Sequence, residues 1–376
     1  DISITSIDYT NTTGITAEKD WFTLATNKNC IYYADSGLTN TNRNVVVDGS
    51  CSNLELSDES GNFYSPFDFT AGEASYSCSI DSSTIITLPF EADIPTGASV
   101  YTLEYTSIAV SGTKITSGKI PANTLVLVVG SGTFVFNGTG NVSAPHNISV
   151  NDFYGVYIAS KAWSGSYYLK TVNGISAFHK VKSGYEPTIM PFSGYLRPGI
   201  AVDASHLPLK LDGEWMHTCK VSFNTQSEVM IDTLIAPYYT TISAPVQPIL
   251  AGYTFAGWYK EPALTNAWNF GSDVVDSSLT LYAKWTINSY TVSFNSMGGS
   301  DIASKQVSHN TAVSAPQPPV KEGNTFEGWF REVECINAWD FDLDLITSDS
   351  TLYAKWEAVV SGISSTPAKV IGVYPN

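Results

Sequence analysis

Five histidines, five cysteines and a run of alternating aspartates are the side chains of this sequence best able to bind a metal or move a proton. Their spacing decides what they can do. His146, His179, His206, His217 and His309 are scattered, and none stands in an H-E-x-x-H or H-x-H arrangement that would aim two imidazoles at one ion. Each reads as a surface or strand histidine. Cys30, Cys51, Cys78, Cys219 and Cys335 lack the C-x-x-C spacing of a zinc site. Two readings stay open for them: small buried apolar residues, or, in an oxidising compartment, bridges among Cys30, Cys51 and Cys78, which lie close in sequence. Asp340, Asp342 and Asp344 alternate with apolar residues, but Leu345 occupies the place of the calcium-loop glycine and Thr351 that of its closing glutamate. Their period of two is expected of the polar face of a strand.

No G-x-S-x-G elbow and no Gly-rich loop followed by Lys-Ser or Lys-Thr occurs. The expectation is therefore no catalytic residue, no cofactor, no metal and no enzyme. What remains is aromatic chemistry. Trp163, with Tyr167 and Tyr168 close behind it, is a candidate platform for stacking a sugar ring.

Composition limits the partners. The 376 residues carry 35 acidic and 19 basic side chains, a net charge of −16, which argues against a phosphate backbone as partner. The longest weakly polar stretch, 124–136, is broken by Gly and Ser and falls short of the ~20 residues of a transmembrane helix. Only 14% of residues are charged, so Ser, Thr, Asn and Gly carry much of the surface. The sequence opens at Asp1 with neither an initiator Met nor a signal peptide, so a leader is expected to have been either removed or left off the sequence, and export is the expectation this suggests.

The elements that must position these residues are strands. Residues 216–286 align without a gap on 287–357, placing Phe223 on Phe294, Trp258 on Trp329, Trp268 on Trp339 and Trp285 on Trp356, each 71 residues apart. Within each copy Val and Phe alternate with polar residues, as do the paired L-Y-A-K-W segments, so each reads as several short strands. Pro245, Pro248, Pro316, Pro318 and Pro319 mark loops or strand ends, since proline donates no ladder hydrogen bond. Gly257 and Gly328, directly before a Trp, mark a bend or close backbone approach. The six tryptophans Trp258, Trp268, Trp285, Trp329, Trp339 and Trp356 are assigned to the repeat cores, because residues kept at fixed spacing in both copies first satisfy the shared fold.

With T-F-x-G-W, A-W-[ND]-F and L-Y-A-K-W present in both copies, residues 216–357 resemble the Listeria-Bacteroides repeat, related to the B repeats of internalin-type surface proteins. The resemblance implies small β-grasp-like modules acting as stalk or spacer. The first copy departs from it at 224–228, where NTQSE replaces the N-x-G-G kept by Asn295, Gly298 and Gly299. Residues 1–215 read as further strands broken by Gly, Pro and Asn. Leu88-Pro89-Phe90, 120–124, 178–181 and 191–196 resemble an all-β module of secreted Bacteroidetes surface proteins. The closing Val373-Tyr374-Pro375-Asn376 resembles the start of a type IX secretion sorting tail.

The expected architecture is an all-β, multi-domain protein. A β unit over 1–78 and a second over 79–215, both β-sandwich-like, precede the repeats 216–286 and 287–357, with a linker and truncated sorting-tail start over 358–376. The expected function is an extracellular, outer-membrane-associated structural or adhesive protein whose N-terminal units meet a protein or glycan at the cell surface. A filament or layer subunit that pairs with copies of itself by strand exchange, through 1–9 or 370–374, is the alternative. A carbohydrate-binding module is a third.

Overall fold

The computed structural model describes residues 6–8, 28–34, 43–145 and 148–359, and its regular elements are strands apart from one 3-10 turn at Asp58–Ser60. The all-β expectation holds. His146, most of the 1–9 segment and the 370–376 tail lie outside the described residues. Two compact units are formed. The first is Asp1–Val221 with Leu234–Ile242 and Phe270–Ser278; the second is Ser222–Thr233, Ser243–Asn269 and Leu279–Asn376.

The first unit holds two large sheets. One has eight strands, with Ser50–Ser57, Phe69–Ile80 and Gly132–Val142 at its centre. The strand Phe69–Ile80 runs through the boundary expected at residue 78 and pairs along its length with Gly132–Val142. Residues on both sides of that boundary therefore share one sheet and one core. The other sheet has eleven strands and curls until its far members meet: Thr87 N–H donates to Phe192 C=O at 2.9 Å, and Ser83 Oγ donates to Ser176 Oγ at 2.7 Å.

Strand alternation builds two cores from this second sheet. Ile86, Val126 and Val128 face the first sheet, joining Leu54, Tyr76, Phe136 and Phe192. Ile85, Leu125 and Leu127 face the inside of the curl, with Phe153, Tyr167, Phe178, Leu196 and Leu207. Each fully buried large side chain contributes about 1.5–3 kcal/mol.

The same alternation places the cysteines, all five of which are free thiols. Cys51 lies opposite Ala71, and Cys78 is seven residues further along that partner strand, a run of about 23 Å at ~3.3 Å per residue. Cys30 packs with Tyr32 and Val45, whereas Cys51 and Cys78 belong to the core that takes Ile31 and Tyr33. A disulfide needs Cα atoms within ~7 Å, so the bridges considered among Cys30, Cys51 and Cys78 give way to buried apolar cysteines. Burial pushes the Cys30 and Cys51 thiols up to about 11 and that of Cys78 to about 12.

In the repeats, the sheet order is Leu234–Pro237, Thr218–Asn224, Leu279–Ile287, Tyr253–Tyr259 in the first copy. In the second it is Ile302–Ser308, Ser289–Asn295, Ser350–Ala358, Asn324–Phe330. A bulge falls between Phe255 and Gly257 and again between Phe326 and Gly328. The two glycines take φ of 119° and 133°, conformations that suit glycine. The rings repeat their geometry: Phe223–Trp258 and Phe294–Trp329 meet edge to face at 5.1 and 5.0 Å. The indole N–H groups of Trp285 and Trp356 each donate at 2.8 Å, to Thr225 C=O and Ser296 C=O.

Asp340, Asp342 and Asp344 depart from the expected strand face. Residues 341–343 form a turn, closed by Asp340 Oδ1 accepting from the N–H groups of Asp342 and Leu343. Asp344 accepts from Asp340 N–H and pairs with Arg331, and these donors hold its carboxyl below the usual range. The aspartates serve backbone donors, a local use that competes with strand formation.

Candidate functional site: an aromatic and cationic groove

The hairpin Tyr167–Val172 and Ile175–Lys180 turns on Asn173-Gly174, with φ of 52° and 77°. Two positive φ values in a two-residue loop match the right-handed twist of the flanking strands. This turn fixes the register, setting Tyr167 opposite Lys180 and Tyr168 opposite His179. The strand His206–Leu211 then pairs with the hairpin so that His206 stands opposite His179. Three successive strands thus align Tyr168, His179 and His206 in one row across the sheet, where cross-strand neighbours touch.

A fourth ring extends the row. The His179 and His206 centroids are 4.2 Å apart, and Tyr239 lies 3.8 Å from His206. Tyr168 reaches His179 at 6.3 Å. Around them the loops at 164–165, 182–185 and 203–205 close a groove of about 750 Å³. Tyr185 stands on its wall with 82% of its surface exposed.

Tyr239 is held in an unusual way. Its φ is +61°, and its N–H donates to Val275 C=O at 2.7 Å. The equivalent residue of the second repeat is Asn310, with φ +59° and its N–H on Ile346 C=O at 2.7 Å. Asparagine tolerates this left-handed conformation; a tyrosine there is strained by about 1–2 kcal/mol. The first repeat keeps the turn but puts a ring in it, against His206.

The electrostatics run against those of the chain. Lys180 and Lys182 line the groove against Asp203 alone. Burial first, then His206 and Lys170, lower the His179 pKa to about 4; burial, Lys182 and Lys170 lower that of His206. Burial and the surrounding lysines thus disfavour the charged form of both imidazoles. Ser205 Oγ is 3.0 Å from His206 Nδ1, and Lys180 Nζ donates to Val202 C=O at 2.7 Å.

The three residues of the expected stacking platform separate. Tyr167 is fully buried in the curl, because alternation turns it away from Tyr168, and its hydroxyl donates to Ala204 C=O at 2.5 Å. Burial pushes its pKa to about 12. Trp163 is 56% exposed, but the Arg197 guanidinium lies 4.0 Å over its ring. Its carbonyl accepts from Ser166 N–H and Oγ, so it anchors the loop whose Ser164 and Gly165 form the rim. Tyr168 alone of the three lines the groove. Sequence reasoning misses His179, His206 and Tyr239 as site residues. For Tyr239 a signal exists, since the 71-residue alignment sets it against Asn310.

In the repeats, Trp258, Trp268 and Trp329 are buried, and Trp339 and Trp356 pack against the core of the second copy. Glu261 and Glu332, again 71 apart, each tie down a loop. Glu261 Oε1 accepts from the N–H groups of Thr265 and Asn266, and Glu332 Oε1 from those of Ile336 and Asn337. Among the described residues no cluster of three or more His, Cys, Asp or Glu side chains could hold a metal ion.

An all-β unit with a lined groove, followed by two copies of a small β module, defines a repeat-bearing multi-domain protein. Residues 220–284 and 290–355 match the Listeria-Bacteroides repeat domain. The chain is 38% identical over 171 residues to a Gly-rich membrane protein of Evansella cellulosilytica, covering 45% of this chain and 20% of that protein. To a second membrane protein of that organism it is 38% identical over 150 residues, 40% of this chain and 23% of the other. Internalin H of Listeria monocytogenes is 28% identical over 220 residues, 58% of this chain and 36% of its own length. The chain therefore spans 20% to 36% of the length of these relatives. No helix among the described residues is long and apolar enough to cross a membrane.

Proposed function

We propose that this is a non-enzymatic protein of the cell surface, in which the two repeats act as spacer and the first unit carries the recognition site. The similarity to internalin H and to two membrane proteins supports the location. The observation that carries the division of labour is where the aromatic rings go. The repeat tryptophans are taken up by their own modules, whereas Tyr168, His179, His206 and Tyr239 line a groove with Tyr185 standing free in its wall. Large exposed aromatics that fold stability does not require are the usual anchors of recognition.

The test uses the fluorescently labelled full chain on bacterial and epithelial cells, with Tyr185→Ala in the groove and Val320→Ser, an exposed site on the second repeat. Binding should fall with the groove variant and persist with the repeat variant. Equal binding by both, or loss with the repeat variant alone, refutes the assignment. Sedimentation of the same samples should give a monomer; filaments would favour assembly through strand exchange.

A further inference from the structure

The groove has features that select among ligands. Three observations are independent of one another. First, the wall offers ring faces at Tyr168, Tyr185 and Tyr239, with Tyr185 largely uncovered. Flat apolar faces beside hydroxyl and imidazole groups suit a pyranose, whose C–H face stacks while its hydroxyls bond at the edge. Second, Lys180 and Lys182 with Lys170 behind them meet one carboxylate, Asp203, in a chain of net charge −16. A cationic patch on an acidic protein attracts an anion against the long-range field, so its value is local. Third, Tyr239 is kept at φ +61° where the sister repeat uses Asn310. Backbone strain held in place beside a groove is a recurrent mark of a working site.

We propose that the groove binds an acidic saccharide, the sugar ring stacking on Tyr185 and the neighbouring tyrosines and its carboxylate or sulfate lying against Lys182 and His206. This rests on the reading of the first unit as the recognition region. The charged and titratable groups around His206 are Tyr168, His179, Lys180, Lys182, Tyr185, Asp203 and Tyr239 in the groove, with Lys170 beside it. An anion placed among them favours the imidazolium, so binding takes up a proton and strengthens as pH falls from 7.5 toward 5.5. Lys180 is already engaged with Val202 C=O, which leaves Lys182 as the exposed cation of the groove lining, with exposed Lys170 beside it.

The test is calorimetric titration of the full chain with alginate, hyaluronan and heparin oligosaccharides, with cello- and dextran oligosaccharides as neutral probes and poly-aspartate as a sugar-free anion. At least one acidic saccharide should bind. Lys182→Glu and Tyr185→Ala, both at exposed positions, should each weaken it about tenfold or more, and 0.5 M salt should weaken it too. His206→Gln should flatten the pH dependence. Binding of the neutral sugars as tight as the acidic ones overturns the charge assignment, and poly-aspartate binding as tight overturns the sugar assignment. Absence of saccharide binding by a chain that still attaches to cells through Tyr185 overturns this inference and leaves the recognition site standing. Absence of both removes the site itself.

Discussion

Exchanging the residues at the two equivalent left-handed turns, by Tyr239→Asn and Asn310→Tyr, separates what the turn needs from what the groove needs. At Tyr239 the substitution removes the strain of a bulky side chain at φ +61°, about 1–2 kcal/mol. It also removes the ring contact with His206, centroids 3.8 Å apart, about 0.5–1.5 kcal/mol. The two changes oppose each other, so the first unit should keep its stability within about 1.5 kcal/mol, a midpoint shift of a few degrees. The reciprocal Asn310→Tyr adds the strain without a facing histidine and should destabilise the second repeat by about 1–2 kcal/mol. Urea unfolding of the full chain, followed at the tryptophans and by proteolysis of each unit, reads both. Binding should fall in Tyr239→Asn alone, by about tenfold if the ring supplies ~1.4 kcal/mol. A loss above about 3 kcal/mol in Tyr239→Asn would make the ring a core element. A neutral Asn310→Tyr would refute the strain argument outright.

Acidification should weaken the first unit in a way His179 controls. Its folded pKa of about 4 lies below the unfolded value of about 6.5, so the unfolded chain binds the extra proton. This contribution to stability is complete above pH 6.5 and is lost as pH falls toward 4. His179→Gln should flatten the stability profile between those values relative to the parent chain, and parallel profiles would contradict the burial of the imidazole. Because all five cysteines are free thiols, reductant should leave the unfolding midpoint unchanged. Native alkylation should label Cys335 first and reach Cys30, Cys51, Cys78 and Cys219 only on unfolding, which mass spectrometry can follow. Glu332→Ala should destabilise the second repeat by about 1–2 kcal/mol, since it strips the acceptor from the Ile336 and Asn337 N–H groups; a change under 0.3 kcal/mol in urea unfolding would show these bonds to be replaceable by water.

Much of the fold is legible in the sequence because strands announce themselves by alternation, and the repeat by its aromatics. The bulge glycines Gly257 and Gly328 can be read from their place before a Trp, since few other residues fit φ above 100°. The boundary at residue 78 cannot. Phe69–Ile80 looks like the end of one unit until its partner Gly132–Val142 is known, and pairing across 50 or more residues leaves no local mark. The aspartates 340–344 mislead for the related reason that a period of two arises in an Asp-capped turn as readily as in a strand. At the site, Tyr167 and Tyr168 look like one platform, yet alternation alone requires adjacent strand residues to face opposite ways. The histidines stay hidden because His179 and His206 are 27 positions apart in sequence and meet only through strand register.

The duplication is what gives Tyr239 its meaning. Where both copies hold a side chain in a left-handed turn, as Leu264 with φ 53° and Cys335 with φ 52° do, the strain belongs to the module and implies nothing about ligands. Tyr239 and Asn310 share the backbone and its hydrogen bond, and differ in the side chain the turn tolerates least. The second copy adopts this turn with asparagine. What the tyrosine adds is a ring that reaches outside its own repeat core and touches His206. The same repeats whose tryptophans explain only their own packing thus point, through one unequal pair, to the groove in the first unit.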